Sequence, residues 1–594
     1  MIRTPLRPLA RILDARAKGE NPDAIERENI RIRHEQMRDR ARMRAEGRLL
    51  VLGVMFFCAF GVIGGRMGVL ASTEPSEPRS SVAGAQILAQ RADIVDRQGR
   101  ILATNFETHS LYAQPPQMVD PERAVEELVR IFPDLDRERL TKDLTGKRKF
   151  LWIKKKLSPE QKQAVHDIGE PGLLFGPREM RLYPNGKLAS HVLGGASFGR
   201  EGVHAAEVIG VAGVEKTFDE RLRDPAHGHE PLRLSLDLSV QAATERVLDG
   251  GMKLMNAKGA TAILMEVKTG EILALASLPD FDPNDRPRAP TEGNPSDSPL
   301  FNRAVQGVYE LGSTFKIFAV AQALELGLIN PSTLIDTKGP LRWGKHRIRD
   351  FHDYGSEMTA TKVIVKSSNI GTARIAQMIG IERQQDFMKR LGFFEPTAVE
   401  MVEAKGGQPL LPPRWSELST MTISYGHGLS ATPMHLAAAY ATLANGGRKV
   451  TPSLLRQPAA QLGPRVMSEQ SARASMTMLR KVVSEGTASM GEVEGYAVAG
   501  KTGTADKPKE RGGGYYDDKV IATFASVFPA HDPQYVLVVT LDEPVETSGD
   551  EPRRTAGWTA VPVAAEIIRR VAPLLGLRPQ IEPGELAGIT LTSN

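Results

Sequence analysis

A chain of 594 residues is too long for one hydrophobic core, so more than one domain is expected. Its charged fraction of 25% and hydrophobic fraction of 41% lie in the ordinary globular range. The formal net charge of +5 belongs to residues 1–48, which hold 13 Lys/Arg and 8 Asp/Glu and leave 63 of each sign to the rest of the chain. The basic balance is therefore no argument for nucleic-acid binding by the main body.

The basic tail, residues 1–48, has mixed charge and few large apolar side chains, which predicts a partly helical or disordered arm. After Arg48 comes LLVLGVMFFCAFGVIGG, Leu49–Gly65, 17 residues without a charge. Arg66 interrupts the run and MGVLA continues it, giving a membrane span over 49–70 if Arg66 snorkels. A buried helix and a cleaved signal peptide are the competing explanations. A 48-residue leader is too long for a signal peptide, and the apolar run exceeds the usual ~7–15 residues, so a retained signal anchor is expected. Arg38, Arg40, Arg42, Arg44 and Arg48 crowd its N-terminal side, which puts 1–48 in the cytoplasm and the chain after about residue 70 outside. The single cysteine, Cys58, lies within the span, so the exported part has neither disulfides nor Cys-based metal sites. Gly61 and Gly65, and Gly64 and Gly68, have the spacing that permits close helix contact in a membrane.

Residues 71–90, beginning ASTEPSEPRSSVAGA, form a Ser/Pro/Glu-rich linker. Residues 91–231 are mixed α/β. RADIVDRQGRILATN predicts two short strands around a turn at Gln98-Gly99. DPERAVEELVRIF predicts a helix capped by Asp120, and SPEQKQAVHDIG another capped by Ser158. His227 and His229 are a lone pair in a loop, too few ligands for a metal site. From 232 to 575 the expected order is a helix capped at Asp237 or Ser239, an apolar hairpin over Gly259–Ser277, and an irregular loop over Pro283–Pro299. A helical middle follows, then three strands at YAVAGKTGTA, IATFASVF and YVLVVTLDE, and a closing helix. Chain ends meeting in one antiparallel sheet around inserted helices make an α+β domain. Residues 576–594 are a C-terminal tail.

The chemistry begins at ELGSTFKIFAV, Glu310–Val320. Ser313 and Lys316 are three apart, hence neighbours on one helical face, and the surrounding run is apolar. A serine is a weak nucleophile until a base takes its proton, and a lysine is a base only when neutral. Desolvation and a second positive charge both push it that way. A Lys-Thr-Gly occurs twice. Lys268-Thr269-Gly270 joins the hairpin strands and is fully explained as a polar turn. Lys501-Thr502-Gly503, followed by Thr504, lies on a strand whose small residues let another backbone approach, and its hydroxyls and ammonium suit a carboxylate. Ser367, Ser368 and Asn369 precede an apolar helical run, where a helix cap is the ordinary explanation.

Ser313-x-x-Lys316, Ser367-x-Asn369 and Lys501-Thr502-Gly503, in this order, resemble the three motifs of the penicillin-recognising serine enzymes. RADIVDRQGRILA, RLYPNGKLASHVLG, GVAGVE and LSLDLSVQ resemble the non-catalytic and linking segments of class B penicillin-binding proteins, and SSNIGT resembles their division (FtsI-like) type. Two departures, Leu311 in ELGS where a proline is usual and Ser526 where a glycine is common, touch no reacting group. The resemblance implies an α+β multidomain chain: a single transmembrane helix, a mixed α/β pedestal of the dimerisation type over 91–231, and a transpeptidase domain with an antiparallel sheet flanked by helices over 232–575. It implies a D,D-transpeptidase in which Ser313 attacks the penultimate D-Ala carbonyl of a peptidoglycan stem peptide. Lys316 takes the proton, Ser367 relays one to the leaving D-Ala, and Asn369 holds the substrate amide and Lys316. Lys501 keeps Lys316 neutral, and Thr502, Gly503 and Thr504 belong to the carboxylate-binding strand. β-Lactams would stop at the acyl stage, and no metal or cofactor is implied. The implied setting is the inner membrane at the septum, with a polytopic SEDS polymerase (FtsW-like) and other division proteins as partners. An elongation-type transpeptidase and a non-catalytic scaffold or β-lactam sensor are the alternatives.

Overall fold

The computed structural model describes residues 7–72, 91–201, 206–227, 230–460, 462–509 and 513–580. Most of the linker over 71–90, His229, and the tail beyond residue 580 lie outside the described residues. Two compact units divide the chain. The first takes the N-terminal helices with Leu111–Lys154 and Gln161–Leu174; the second takes the strand region up to and including Ser110, Lys155–Glu160 and the chain from Phe175 onward. This division runs through the 91–231 segment.

In the first unit, Arg7–Ala17 (α1) is followed by Pro22–Ser72 (α2), one continuous helix of 51 residues. The arm is thus helical as far as it is described, beyond the partial helicity its charge pattern suggested. The physical reason is that 23–46 contains no Pro or Gly and is rich in strong helix formers. Pairs one turn apart, such as Arg42 with Glu46 at 2.7 Å, add small increments. Ala45–Met67 is apolar and long enough to cross a membrane, and none of it is buried. The helix Pro121–Ile131 (α3) begins where Asp120 accepts from the Arg123 N–H at 3.1 Å, the cap read from the sequence.

In the second unit, Arg91, Arg181 and Glu215 meet. Glu215 is completely buried, and each of its carboxylate oxygens accepts from one arginine at 2.7 Å. Segments around residues 91, 181 and 215 are therefore tied by one charge cluster. The helix Leu238–Leu254 (α4) is capped by Asp237, which accepts from the Ser239 and Val240 N–H groups. Gly259–Glu266 (β1), Ile272–Leu278 (β2), Ala499–Pro508 (β3), Tyr515–Phe528 (β4) and Tyr535–Asp542 (β5) build one sheet in the order β3-β4-β5-β1-β2, antiparallel throughout. The long strand-forming runs of the two chain ends thus meet, as their spacing predicts. Lys268-Thr269-Gly270 is the β1–β2 turn, with Gly270 at φ +71°. β3 is an edge strand, and its free edge faces the helical region.

Candidate active site

Three separate stretches converge on that edge. The first is Gly312–Phe315, a 3₁₀ turn that leads into the helix Lys316–Glu325 (α5). Ser313 sits in the turn, partly exposed, while Lys316 opens the α-helix and is 1% exposed. A turn this tight in front of the helix needs Gly312 at φ +57°. A Cβ on Gly312 would lie 2.8 Å from the Thr504 carbonyl oxygen, and one on Gly503 would lie 2.2 Å from that of Leu311. Backbone thus packs on backbone, and both glycines are needed for the approach. The loop at Gly426 closes the other side, accepting from the Gly312 N–H at 3.2 Å.

The second stretch is the start of Asn369–Ile379 (α6). Ser368 caps it, accepting from the Gly371 N–H at 2.9 Å. Ser367, just before the cap, is held at φ +61°, a left-handed conformation that is uncommon for a serine and found at functional sites. That turn directs both its carbonyl oxygen and its hydroxyl to Lys316, whose Nζ donates to each, the hydroxyl at 3.1 Å. From the third stretch, β3, Lys501 Nζ donates to the same Ser367 Oγ at 2.9 Å and to the Thr502 carbonyl at 3.1 Å. Two buried lysines therefore share one serine hydroxyl. Burial first, and then the Lys501 ammonium, pushes Lys316 well below the ordinary lysine value, against an upward pull from Asp350. Burial pushes Lys501 down to about 7.

Ser313, Ser367, Asn369, Thr502 and Thr504 line one cleft of about 500 Å³, with Phe351, Met490 and Trp558 on its walls. Lys316 and Lys501 lie behind it, and Gly503 forms the contact with the Ser313 turn. Asn369 departs from its expected partner: its side-chain nitrogen donates to the Arg349 carbonyl at 2.9 Å, and Lys316 is held by Ser367 instead. Thr502 shares a hydrogen bond with Thr487 at 2.9 Å, and the Thr504 hydroxyl accepts from the Ala556 N–H at 2.9 Å.

Two neighbours carried no motif in the sequence. Asp350 accepts from the Ser368 hydroxyl at 2.6 Å and from the N–H groups of Asn369 and Ile370, so it holds the start of α6 in place. Glu310 accepts from the Gly428 N–H at 2.6 Å and from the Tyr515 hydroxyl at 3.0 Å, tying the segment before Ser313 to β4. Its place beside Ser313 in ELGS was the only available signal.

Known proteins share this arrangement. Residues 260–569 match the penicillin-binding protein transpeptidase domain, and residues 86–230 match the penicillin-binding protein dimerisation domain. The probable peptidoglycan D,D-transpeptidase FtsI of Caulobacter vibrioides is 34% identical over 565 residues, 93% of each chain. The peptidoglycan D,D-transpeptidase FtsI of Escherichia coli K12 is 29% identical over 525 residues, covering 83% of this chain and 85% of that one. A crystal structure of penicillin-binding protein 3 from Mycobacterium tuberculosis complexed with aztreonam superposes with a TM-score of 0.62 at 27% identity. It covers 83% of this chain and 98% of that one. Dimerisation domain followed by transpeptidase domain is the class B arrangement. The chain belongs to the penicillin-binding protein transpeptidase family, as a class B member of the division type.

Proposed function

We infer that this chain is a peptidoglycan D,D-transpeptidase of cell division and that Ser313 is its nucleophile. The observation that carries the assignment of roles is the Ser367 hydroxyl shared by buried Lys316 and Lys501, in the cleft that Ser313 lines. Neutral Lys316 takes the Ser313 proton as Oγ attacks the carbonyl carbon of the penultimate D-Ala. The N–H groups of Ser313 and Thr504 hold the oxyanion that forms. As the intermediate collapses, the C–N bond breaks and the departing D-Ala nitrogen takes a proton passed from Lys316 through Ser367. Lys501 supplies positive potential, and Thr502 and Thr504 bind the terminal carboxylate. Asn369 orients the substrate amide once it turns from Arg349. An amine of a second stem peptide then attacks the Ser313 ester and releases the serine, leaving a crosslink. A β-lactam ring opened by Ser313 stays attached.

The exposed apolar stretch Ala45–Met67, with arginines on its N-terminal side, supports a single-pass anchor with a cytoplasmic tail and an exported catalytic domain. We assign the chain to the septum, beside an FtsW-like polymerase that makes the glycan strands. Fluorescent penicillin on membranes holding wild type or Ser313→Ala tests the core of this reading. Label on the wild type alone is expected; label retained by folded Ser313→Ala would remove Ser313 from its role.

A further inference from the structure

Outside the acyl-transfer cleft, the second unit holds a cavity of about 510 Å³. Its walls are Arg181 and Tyr183, the hairpin strands bearing Phe198 and Val211, and the loop Pro283–Ala289. Lys156, Arg181, Arg286 and Arg288 line it against one carboxylate, Asp285. No residue lining the acyl-transfer cleft lines this cavity.

The arginines are incompletely used. The Arg181 side chain is 2% exposed; its Nε serves Glu215 at 2.7 Å and its Nη1 serves Asn105 at 3.1 Å, while Nη2 has no partner among the described residues. Arg286 is half-buried and makes no ion pair among the described residues. Its Nε reaches the Gly194 carbonyl at 3.3 Å, and its guanidinium lies 5.3 Å from the Phe281 ring. The loop presenting Arg286 and Arg288 is held, because the Asn284 side chain accepts from the Tyr183 N–H and donates to its carbonyl, both at 2.9 Å. Guanidinium groups removed from water without a full set of acceptors carry a desolvation cost that an incoming oxyanion offsets. Their planar fork fits carboxylate and phosphate. Met180, Phe198, Val208 and Val211 add apolar wall, and the volume is that of a small-ligand site.

We propose that this cavity binds a small oxyanionic ligand of roughly disaccharide size, its carboxylate or phosphate held by Arg181, Arg286 and Arg288, its uncharged part lying against Phe198 and Val211. The site does not depend on the acyl-transfer reading. Its test uses full-length Ser313→Ala protein in detergent at low salt, titrated calorimetrically with three probes: an N-acetylglucosaminyl-N-acetylmuramic acid disaccharide without stem peptide, inorganic pyrophosphate and uncharged N,N′-diacetylchitobiose. Saturable binding of at least one anion is expected, with Kd below about 1 mM. Binding of the muramic acid disaccharide alone would identify a carboxylate source and of pyrophosphate alone a phosphate source. Arg288→Gln, at an exposed position, should weaken binding severalfold without moving the melting temperature. Arg286→Gln with Arg288→Gln should weaken it at least about tenfold. Thr504→Val, in the other cleft, should leave it unchanged. The proposal is overturned if neither anion saturates, if the arginine variants bind as the parent does, if Thr504→Val abolishes binding, or if N,N′-diacetylchitobiose binds as tightly as the muramic acid disaccharide.

Discussion

Glu215 lies between Arg91 and Arg181, all three buried and each facing an opposite charge, whereas Lys316 and Lys501 are buried with like charge and a single hydroxyl between them. Neither lysine has a carboxylate within ion-pair distance among the described residues. The first cluster sets attraction against desolvation, and its use is to join chain segments. The second opposes desolvation only through Asp350, beyond ion-pair distance of Lys316, so the protonation state of Lys316 is the adjustable quantity. Burial alone does not separate architecture from chemistry; the sign of the neighbouring charge does.

Breaking each cluster should give opposite outcomes. Lys316→Met is expected to slow β-lactam acylation by about 10²–10⁴-fold, the usual contribution of a general base. It should leave the denaturation midpoint equal or higher, since a buried amine without a carboxylate partner is removed. Stopped-flow acylation and urea titration on the same sample measure both, and a large loss of stability would contradict the contrast. Glu215→Gln should do the reverse. Arg181 loses its counter-ion and Arg91 keeps only Asp219, costing about 3–5 kcal/mol, while the acylation rate per folded molecule stays near the parent value.

The comparison is sharpened by pH. Acylation needs Lys316 neutral and Lys501 charged, so the rate should rise as Lys316 deprotonates and fall as Lys501 loses its proton near about 7. Lys501→Arg keeps its charge and should abolish the falling limb; an unchanged alkaline limb would assign it elsewhere. Stability follows the same groups. Between about 7 and the ordinary 10.5 the unfolded chain binds more protons at Lys501 than the folded one does, so unfolding free energy should increase with pH across that window. The smallest effect is expected from Asp350→Asn. Removing the charge that pulls Lys316 upward should move the acid limb to lower pH, and weakening the hold on α6 should cost about 1 kcal/mol.

Much of this was legible because it is local. Asp120 and Asp237 were readable as caps, the β1–β2 hairpin as two apolar runs around a turn, and the three motifs as reactive side chains at characteristic spacing. Asp350 was not legible, since nothing near it announces a contact to residues 18 to 20 positions on. The Glu310–Tyr515 hydrogen bond spans 205 residues and exists only through the sheet. The unbroken α2 was underestimated because mixed charge suggests disorder, while summed helix propensity over a stretch free of Pro and Gly decides otherwise. The direction of the Asn369 amide depends on the Arg349 carbonyl, which no local pattern supplies.

The contact of the Leu311–Gly312 backbone with the Gly503–Thr504 backbone acts as a spacer set to zero thickness: it leaves less than a methyl group of tolerance between the two halves of the cleft. Drug tolerance obtained by reshaping this cleft would therefore have to arise elsewhere. We expect selection with β-lactams to collect substitutions on the walls, at positions such as Phe351, Met490 and Trp558, and to spare both glycines. The floor is a fixed gauge, and the walls are where an inhibitor and a peptide can be told apart.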